Sequence, residues 1–157
     1  MTVYRRAEDR DISDINRLLG QVLLVHHNGR PDLFKPVGAK YTDIQLKELF
    51  HDDDRPVFVY EEDGRVLAHC FCKVEERPET SASYALKSLY IDDLCVDENV
   101  RGRHVGTGLY RYVENWAKEN GFYNVTLHVW ECNPAAIEFY RNLGMQIQQY
   151  TMETILR

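Results

Sequence analysis

The chain has 157 residues, 44% of them apolar and 28% charged, with a formal net charge of −6. That length suits one domain over residues 1–157, because two separate cores would each be small, and no apolar run approaches the roughly 18 residues that cross a bilayer. The acidic balance argues against nucleic acid as a partner, since phosphate binding needs a basic surface, and it is compatible with a cationic amine as substrate.

Thr2 to Arg6 reads as a first strand. Asp11 looks like a helix cap, with Ile12, Ile15, Leu18, Leu19 and Val22 at helical spacing behind it. His27 to Lys40, with two glycines and two prolines, reads as a loop. Thr42 and Gln45 have capping-box spacing for a short helix carrying Leu46, Leu49 and Phe50. Val57–Glu61 and Val66–Val74 are strand-like, and Asp63-Gly64 between them marks a tight hairpin turn. Glu75 to Ser83 is polar and reads as a loop.

Leu86 to Val96 reads as a long strand. After a glycine-containing turn comes a helix with Leu109, Tyr112, Val113, Trp116 and Ala117 on one face, ended by Gly121. Val125, Leu127 and Val129 alternate with Thr126, His128 and Trp130, the pattern of a strand. Asn133 and Pro134 suit the cap and first position of a last helix that stops at Gly144. Met145 to Leu156 is expected as a final strand. The sum is a mixed α/β domain around one sheet.

The N-terminal residues Met1 to Asp11 are charged throughout and hold no apolar leader stretch, so a cytoplasmic location is expected. Cys70, Cys72, Cys95 and Cys132 form no Cys-x-x-Cys pair and read as buried free thiols. Adjacent His26 and His27 point different ways on a helix end and have no third ligand, so no metal site is expected there.

Arg101-Gly102-Arg103-His104-Val105-Gly106-Thr107-Gly108 lies between a strand and a helix. Unpaired N–H groups at a helix start, its dipole and nearby glycines favour a phosphate there. A plain turn relieved by glycines fits the residues equally well, and neither a Walker loop nor the Rossmann spacing is present. Further on stands Asn133-Pro134-Ala135-Ala136-Ile137-Glu138-Phe139-Tyr140-Arg141-Asn142-Leu143-Gly144-Met145.

Together these two stretches resemble the GNAT superfamily of N-acyltransferases, whose hallmark is Arg/Gln-x-x-Gly-x-Gly/Ala between the fourth strand and third helix, with a second signature close to Asn-x-x-Ala-x-x-x-Tyr after the fifth strand. The resemblance spans Leu86 to Met145 and implies a mixed, mostly antiparallel sheet flanked by helices. It also implies acetyl-CoA as co-substrate. The first motif fits from Arg101, with His104 at its first glycine position, or from Arg103, with Gly106 and Gly108; the Arg101 register keeps the usual distance from Val96. The resemblance places cofactor contacts at Leu94, Cys95, Val96, the turn from Arg101 through Gly102, Arg103, His104, Val105, Gly106 and Thr107 to Gly108, and at Asn133, Ala136 and Tyr140.

Acetyl transfer to an amine needs a proton acceptor, because a primary amine near pKa 10 is mostly protonated at neutral pH. It needs a donor for the oxyanion and a proton for the departing thiolate. By resemblance, Tyr140 is the acid facing the CoA sulfur, and the backbone N–H of Cys95 or Val96 polarises the carbonyl. Asp92, with Asp93 beside it, resembles the acidic pair of polyamine acetyltransferases and is one candidate base. His128 is another, its ordinary pKa near 6.5 suiting the work, and Glu131 a third; each also reads as a polar residue on the wet side of a strand.

The expected activity is acetyl transfer to a small amine by direct attack in a ternary complex. The alternatives are a protein N-terminal or lysine acetyltransferase and a non-catalytic acyl-CoA sensor. A homodimer is compatible with the sequence, and neither a membrane nor a metal is expected as partner.

Overall fold

The computed structural model describes all 157 residues, whose strands form a single five-stranded sheet in the order β1-β2-β3-β4-β5. Strands β1 (Thr2–Arg6), β2 (Val57–Glu62), β3 (Arg65–Arg77) and β4 (Leu86–Val96) pair antiparallel in turn, and β5 (Asn124–Leu127) pairs parallel to β4. The sheet is thus mixed and mostly antiparallel, as expected. Helices α1 (Ile12–Gly29) and α2 (Asp43–Phe50) cover one face, while α3 (Val105–Glu119) and α4 (Pro134–Asn142) pack on the other.

Two cores follow from strand alternation. Val57 and Val59 meet Ile15, Leu18 and Leu46 on one face; Phe58 and Tyr60 meet Leu109, Tyr110 and Val113 on the other. A strand covered on both faces reads as a continuous apolar run, which explains Val57–Tyr60. Local chemistry sets the joints. Thr42 and Gln45 form the capping box, with bonds of 3.2 and 2.9 Å. Asp63 and Gly64 both take positive φ (50° and 82°), the geometry of a tight two-residue hairpin. Asn133 caps α4 by accepting the Ala136 N–H at 3.2 Å.

Several expectations are corrected. The Asp11 carboxylate does not cap α1: it accepts from Arg5 Nη1 and Nη2 at 2.7 and 2.9 Å and from the Glu8 N–H at 2.8 Å. The entry to α1 is a short 3-10 turn, Asp9–Asp11, capped by Glu8. Helix α1 runs on through His27 to Gly29, and β3 extends to Arg77 because Glu75, Glu76 and Arg77 pair with Ser88, Lys87 and Leu86 of β4. Strand β5 stops at Leu127.

Met145 to Leu156 forms no strand. Ile147, Met152 and Leu156 stay exposed, so burial of apolar side chains does not hold this segment against the sheet. Arg30 Nη1 donates to Glu153 Oε1 at 2.6 Å, tying this tail to the end of α1. No helix is long and apolar enough to cross a membrane.

Candidate active site

Strand β4 changes character halfway along. Phe71 of β3 faces Asp93, and Cys72 faces Ile91, so Asp92 is an extra residue without a partner: a β-bulge. Before it, Leu89 and Ile91 pack with α3; after it, Cys95 packs with α1 on the opposite face. The pairing with β5 ends at the same place, since only Ser88–Ile91 meet Asn124–Leu127. The outer edge of Asp92–Val96 is therefore free.

Which backbone groups line that free edge follows from alternation. The Asp97 N–H donates to Leu67 O at 2.8 Å. Residues 95 and 93 share that side of the strand and are engaged by β3, whereas 94 and 96 face outward. Val96, and not Cys95, thus offers its N–H to the gap. The Cys95 thiol turns the other way, toward Leu18 O at 3.3 Å, and burial pushes it up to about 12. It is a core group, as are Cys70 and Cys72. Cys132 departs from the expected burial: it is exposed, on the turn before α4.

The glycine turn lies just beyond the free edge. Its three prominent glycines do different jobs. Gly102 has φ 85° with open space around it, so it serves the turn itself. A side chain at Gly106 would meet Val96 Cγ2 at 3.1 Å and Phe139 Cζ at 3.2 Å, so this glycine lets α3 approach β4 and α4 closely. Gly108 leaves room for Tyr4.

His104 sits at the N-cap of α3 with φ 60° and ψ 21°, the left-handed region that glycine favours. The first intrahelical bond runs from the Gly108 N–H to His104 O at 3.0 Å. The N–H groups of Val105, Gly106 and Thr107 have no acceptor within the helix. No acidic residue occupies this first turn, Arg101 is exposed beside it, and Arg103 Nη2 is paired with Glu62 Oε1 at 2.7 Å. The arrangement has the electrostatics of an anion site.

At the bulge, Asp92 Oδ2 accepts from Lys40 Nζ at 2.7 Å. Asp92 also lines a cavity of about 160 Å³ together with Tyr41, Phe71 and Tyr90. The Tyr90 hydroxyl lies 3.2 Å from His128 Nδ1, and the two rings meet edge to face. The structure therefore brings Asp92 and His128 to one region through Tyr90, although His128 stands just past β5 and not mid-strand. Asp93 is directed at the buried His69, with Oδ2 3.5 Å from Nε2. Glu131 is exposed on the turn before α4.

Tyr140 packs from α4 against the α3-side core beside Phe139. Burial pushes its phenol well above its ordinary value, and the Cys70 and Asp93 groups add to the effect. Asn133 spends its side-chain oxygen on the α4 cap, which leaves Ala136 bonded there. At the other end of α1, His27 Nδ1 lies 2.7 Å from Phe34 O and the His26 ring packs at a tilt against Phe34, so this pair shapes the helix end.

A sequence model of the Acetyltransferase (GNAT) family matches residues 24–145. The chain belongs to that family. Among curated relatives, streptothricin acetyltransferase A of Bacillus subtilis is 32% identical over 97 residues, covering 58% of this chain and 53% of that protein. An uncharacterised N-acetyltransferase of Methanocaldococcus jannaschii is 30% identical over 113 residues, covering 68% of this chain and 46% of its own length. The chain spans about half the length of these curated relatives. Among solved structures, the BH1408 protein of Bacillus halodurans, as a tetramutant, superposes with a TM-score of 0.92 at 28% identity, covering 98% of this chain and 99% of that one. The aminoglycoside N-acetyltransferase AAC(6′)-Iy, solved with CoA, shares the fold at 14% identity with a TM-score of 0.75, covering 100% of this chain and 95% of that one.

Sequence reasoning alone missed three partners within this GNAT fold: Lys40 on Asp92, Tyr90 on His128 and Tyr4 over Gly108. Tyr90 stands two residues from Asp92 on the same strand, a period-2 signal that was available. Lys40 and Tyr4 come from distant segments and carried none.

Proposed function

We propose that this chain transfers the acetyl group of acetyl-CoA to a primary amine of a small cationic molecule, by direct attack in a ternary complex. The observation that carries the reading is the free outer edge of Asp92–Val96, which starts at an acidic bulge and runs toward the unpaired N–H groups of α3. A thioester laid along it has its pyrophosphate on the turn from Arg101 to Thr107, where His104 takes the left-handed backbone of the first motif glycine in the Arg101 register.

In this reading the Val96 N–H, free of β3, donates to the carbonyl oxygen and to the oxyanion that replaces it. Asp92 holds the acceptor ammonium and takes its proton, with Tyr90 lining the same cavity and His128 against the Tyr90 hydroxyl. The amine nitrogen attacks the carbonyl carbon, the C–S bond breaks, and Tyr140, kept protonated by burial, supplies a proton to the sulfur. The inert Cys95 thiol fits a route without an acyl-enzyme. Relatives and neighbours named for streptothricin and aminoglycosides support a small amine as acceptor.

The test is a panel of streptothricin, aminoglycosides, polyamines, amino acids and peptides with acetyl-CoA, read by free thiol release and product mass. Acetylation of a small cationic amine is expected. Turnover with peptides alone would replace the small-molecule reading, and no thiol release with any acceptor would remove the catalytic one.

A further inference from the structure

Lys40 lies in the irregular segment between α1 and α2, and its ammonium is already where an acceptor amine is needed. Nζ is 2.7 Å from Asp92 Oδ2 and 5.5 Å from the centre of the Tyr41 ring. Tyr41 is itself fixed by stacking on Phe71, with centroids 5.8 Å apart and planes within 5°. Of the six lysines in the chain, Lys40 alone forms an ion pair. The pair is half-open, with side-chain exposures of 50% for Lys40 and 32% for Asp92, so the ammonium is held at the bulge without being sealed from solvent. Burial by itself would lower the Lys40 ammonium, but the Asp92 carboxylate outweighs it and keeps the group charged at rest.

From this geometry we infer that Lys40 is a self-acetylation site: its ε-amine fills the acceptor position beside Asp92 and receives the acetyl group from the chain's own bound acetyl-CoA when no external amine is present. The inference rests on the acetyl-transfer reading above. Asp92 takes one proton from the Lys40 ammonium, and the neutral Nζ attacks the thioester carbonyl carbon. The C–N bond forms and the C–S bond breaks. Of the two protons lost by nitrogen, one ends on the CoA sulfur and one leaves through Asp92 to solvent. The product amide is uncharged, so the Lys40–Asp92 attraction is lost and the carboxylate becomes available to an external cation. Until then Lys40 competes with that cation.

The experiment incubates the full chain with acetyl-CoA alone, at two protein concentrations, and follows acetyl occupancy at each lysine by peptide mass spectrometry. An external amine panel is run in parallel. Lys40 is expected to be modified at least about tenfold faster than Lys35, Lys47, Lys73, Lys87 or Lys118, as proximity dictates. Its first-order rate should not change with protein concentration, and an accepted external amine should slow it. Lys40→Met should lower the KM for that amine by up to about fivefold, the ceiling set by a half-exposed ion pair.

Even modification across all six lysines, or a rate that rises with protein concentration, would overturn the proposal. If an external amine is acetylated while Lys40 stays unmodified, the Lys40 assignment falls and the acetyltransferase reading stands. If neither is acetylated, both fall.

Discussion

Tyr4 of β1 and Gly108 of α3 are packed so that a methyl group on Gly108 would overlap the Tyr4 hydroxyl oxygen. The Tyr4 ring has little freedom to retreat, because it lies against Tyr60 and Tyr112 with centroids 5.3 and 5.5 Å away. This contact ties the first strand of the chain to the helix that carries the glycine turn.

Gly108→Ala should therefore destabilise the protein. Overpacking typically costs about 1–3 kcal/mol, and the better helix propensity of alanine returns about 1. A net loss near 1 kcal/mol is expected in urea unfolding. In a Tyr4→Phe background the oxygen is gone and the nearest atom is the ring Cζ at 3.1 Å, so the same substitution should cost less. An equal cost in both backgrounds would show that the hydroxyl is not the obstacle.

The first turn of α3 predicts two effects of opposite sign from one substitution. Thr107→Asp places a carboxylate among N–H groups that have no helical acceptor. It should stabilise the free protein by about 0.3–1 kcal/mol through the helix dipole. It should also weaken CoA binding about tenfold or more, since like charges at contact near a surface cost roughly 1–4 kcal/mol. Melting curves and calorimetric titration read the two separately, and unchanged CoA affinity would remove the pyrophosphate from this turn.

The cysteines divide by burial. Near about pH 8, where free thiols begin to ionise, a thiol reagent should titrate Cys132 quickly and reach Cys70, Cys72 and Cys95 only on unfolding. Burial raises Cys95 from 9.0 to about 12. Its contribution to stability is full below pH 9.0, then drains between there and about 12, because the unfolded thiol ionises while the folded one does not. Cys95→Ala should flatten that alkaline decline and keep turnover. Loss of turnover in a stably folded variant would contradict the direct mechanism.

Tyr140→Phe keeps the ring against the core and removes the proton donor. General acid assistance is worth about 10²–10⁴-fold, so kcat should fall by that order with little change in acetyl-CoA affinity. Because burial raises the phenol above its ordinary value of 10.0, it stays protonated through neutral and mildly alkaline pH. Any basic limb within that range should therefore be the same in wild type and variant. Retention of more than about half of kcat, with chemistry rate-limiting, would assign the proton to water instead.

The sequence by itself determined what depends on neighbours along the chain. The Thr42–Gln45 box, the Asp63-Gly64 hairpin, the Asn133-Pro134 helix start and the bounds of β4 all arise within a few residues, and each is found where expected. A helix start carries its own free N–H groups, but the glycine turn alone fits a plain turn equally well, and only the two motifs together, by resemblance, favour a phosphate there. Tertiary structure decided what depends on register and closure between distant segments. The bulge at Asp92 exists because β3 and β4 slip by one residue, which no feature of either strand alone announces. The failure of Met145–Leu156 to form a strand goes with Ile147, Met152 and Leu156 finding no apolar surface to cover. The choice of Val96 over Cys95 at the free edge, and the seating of Lys40 on Asp92, follow from which strand faces which. An alternating pattern states that a strand has two faces; only the assembled sheet decides what each face and edge will meet.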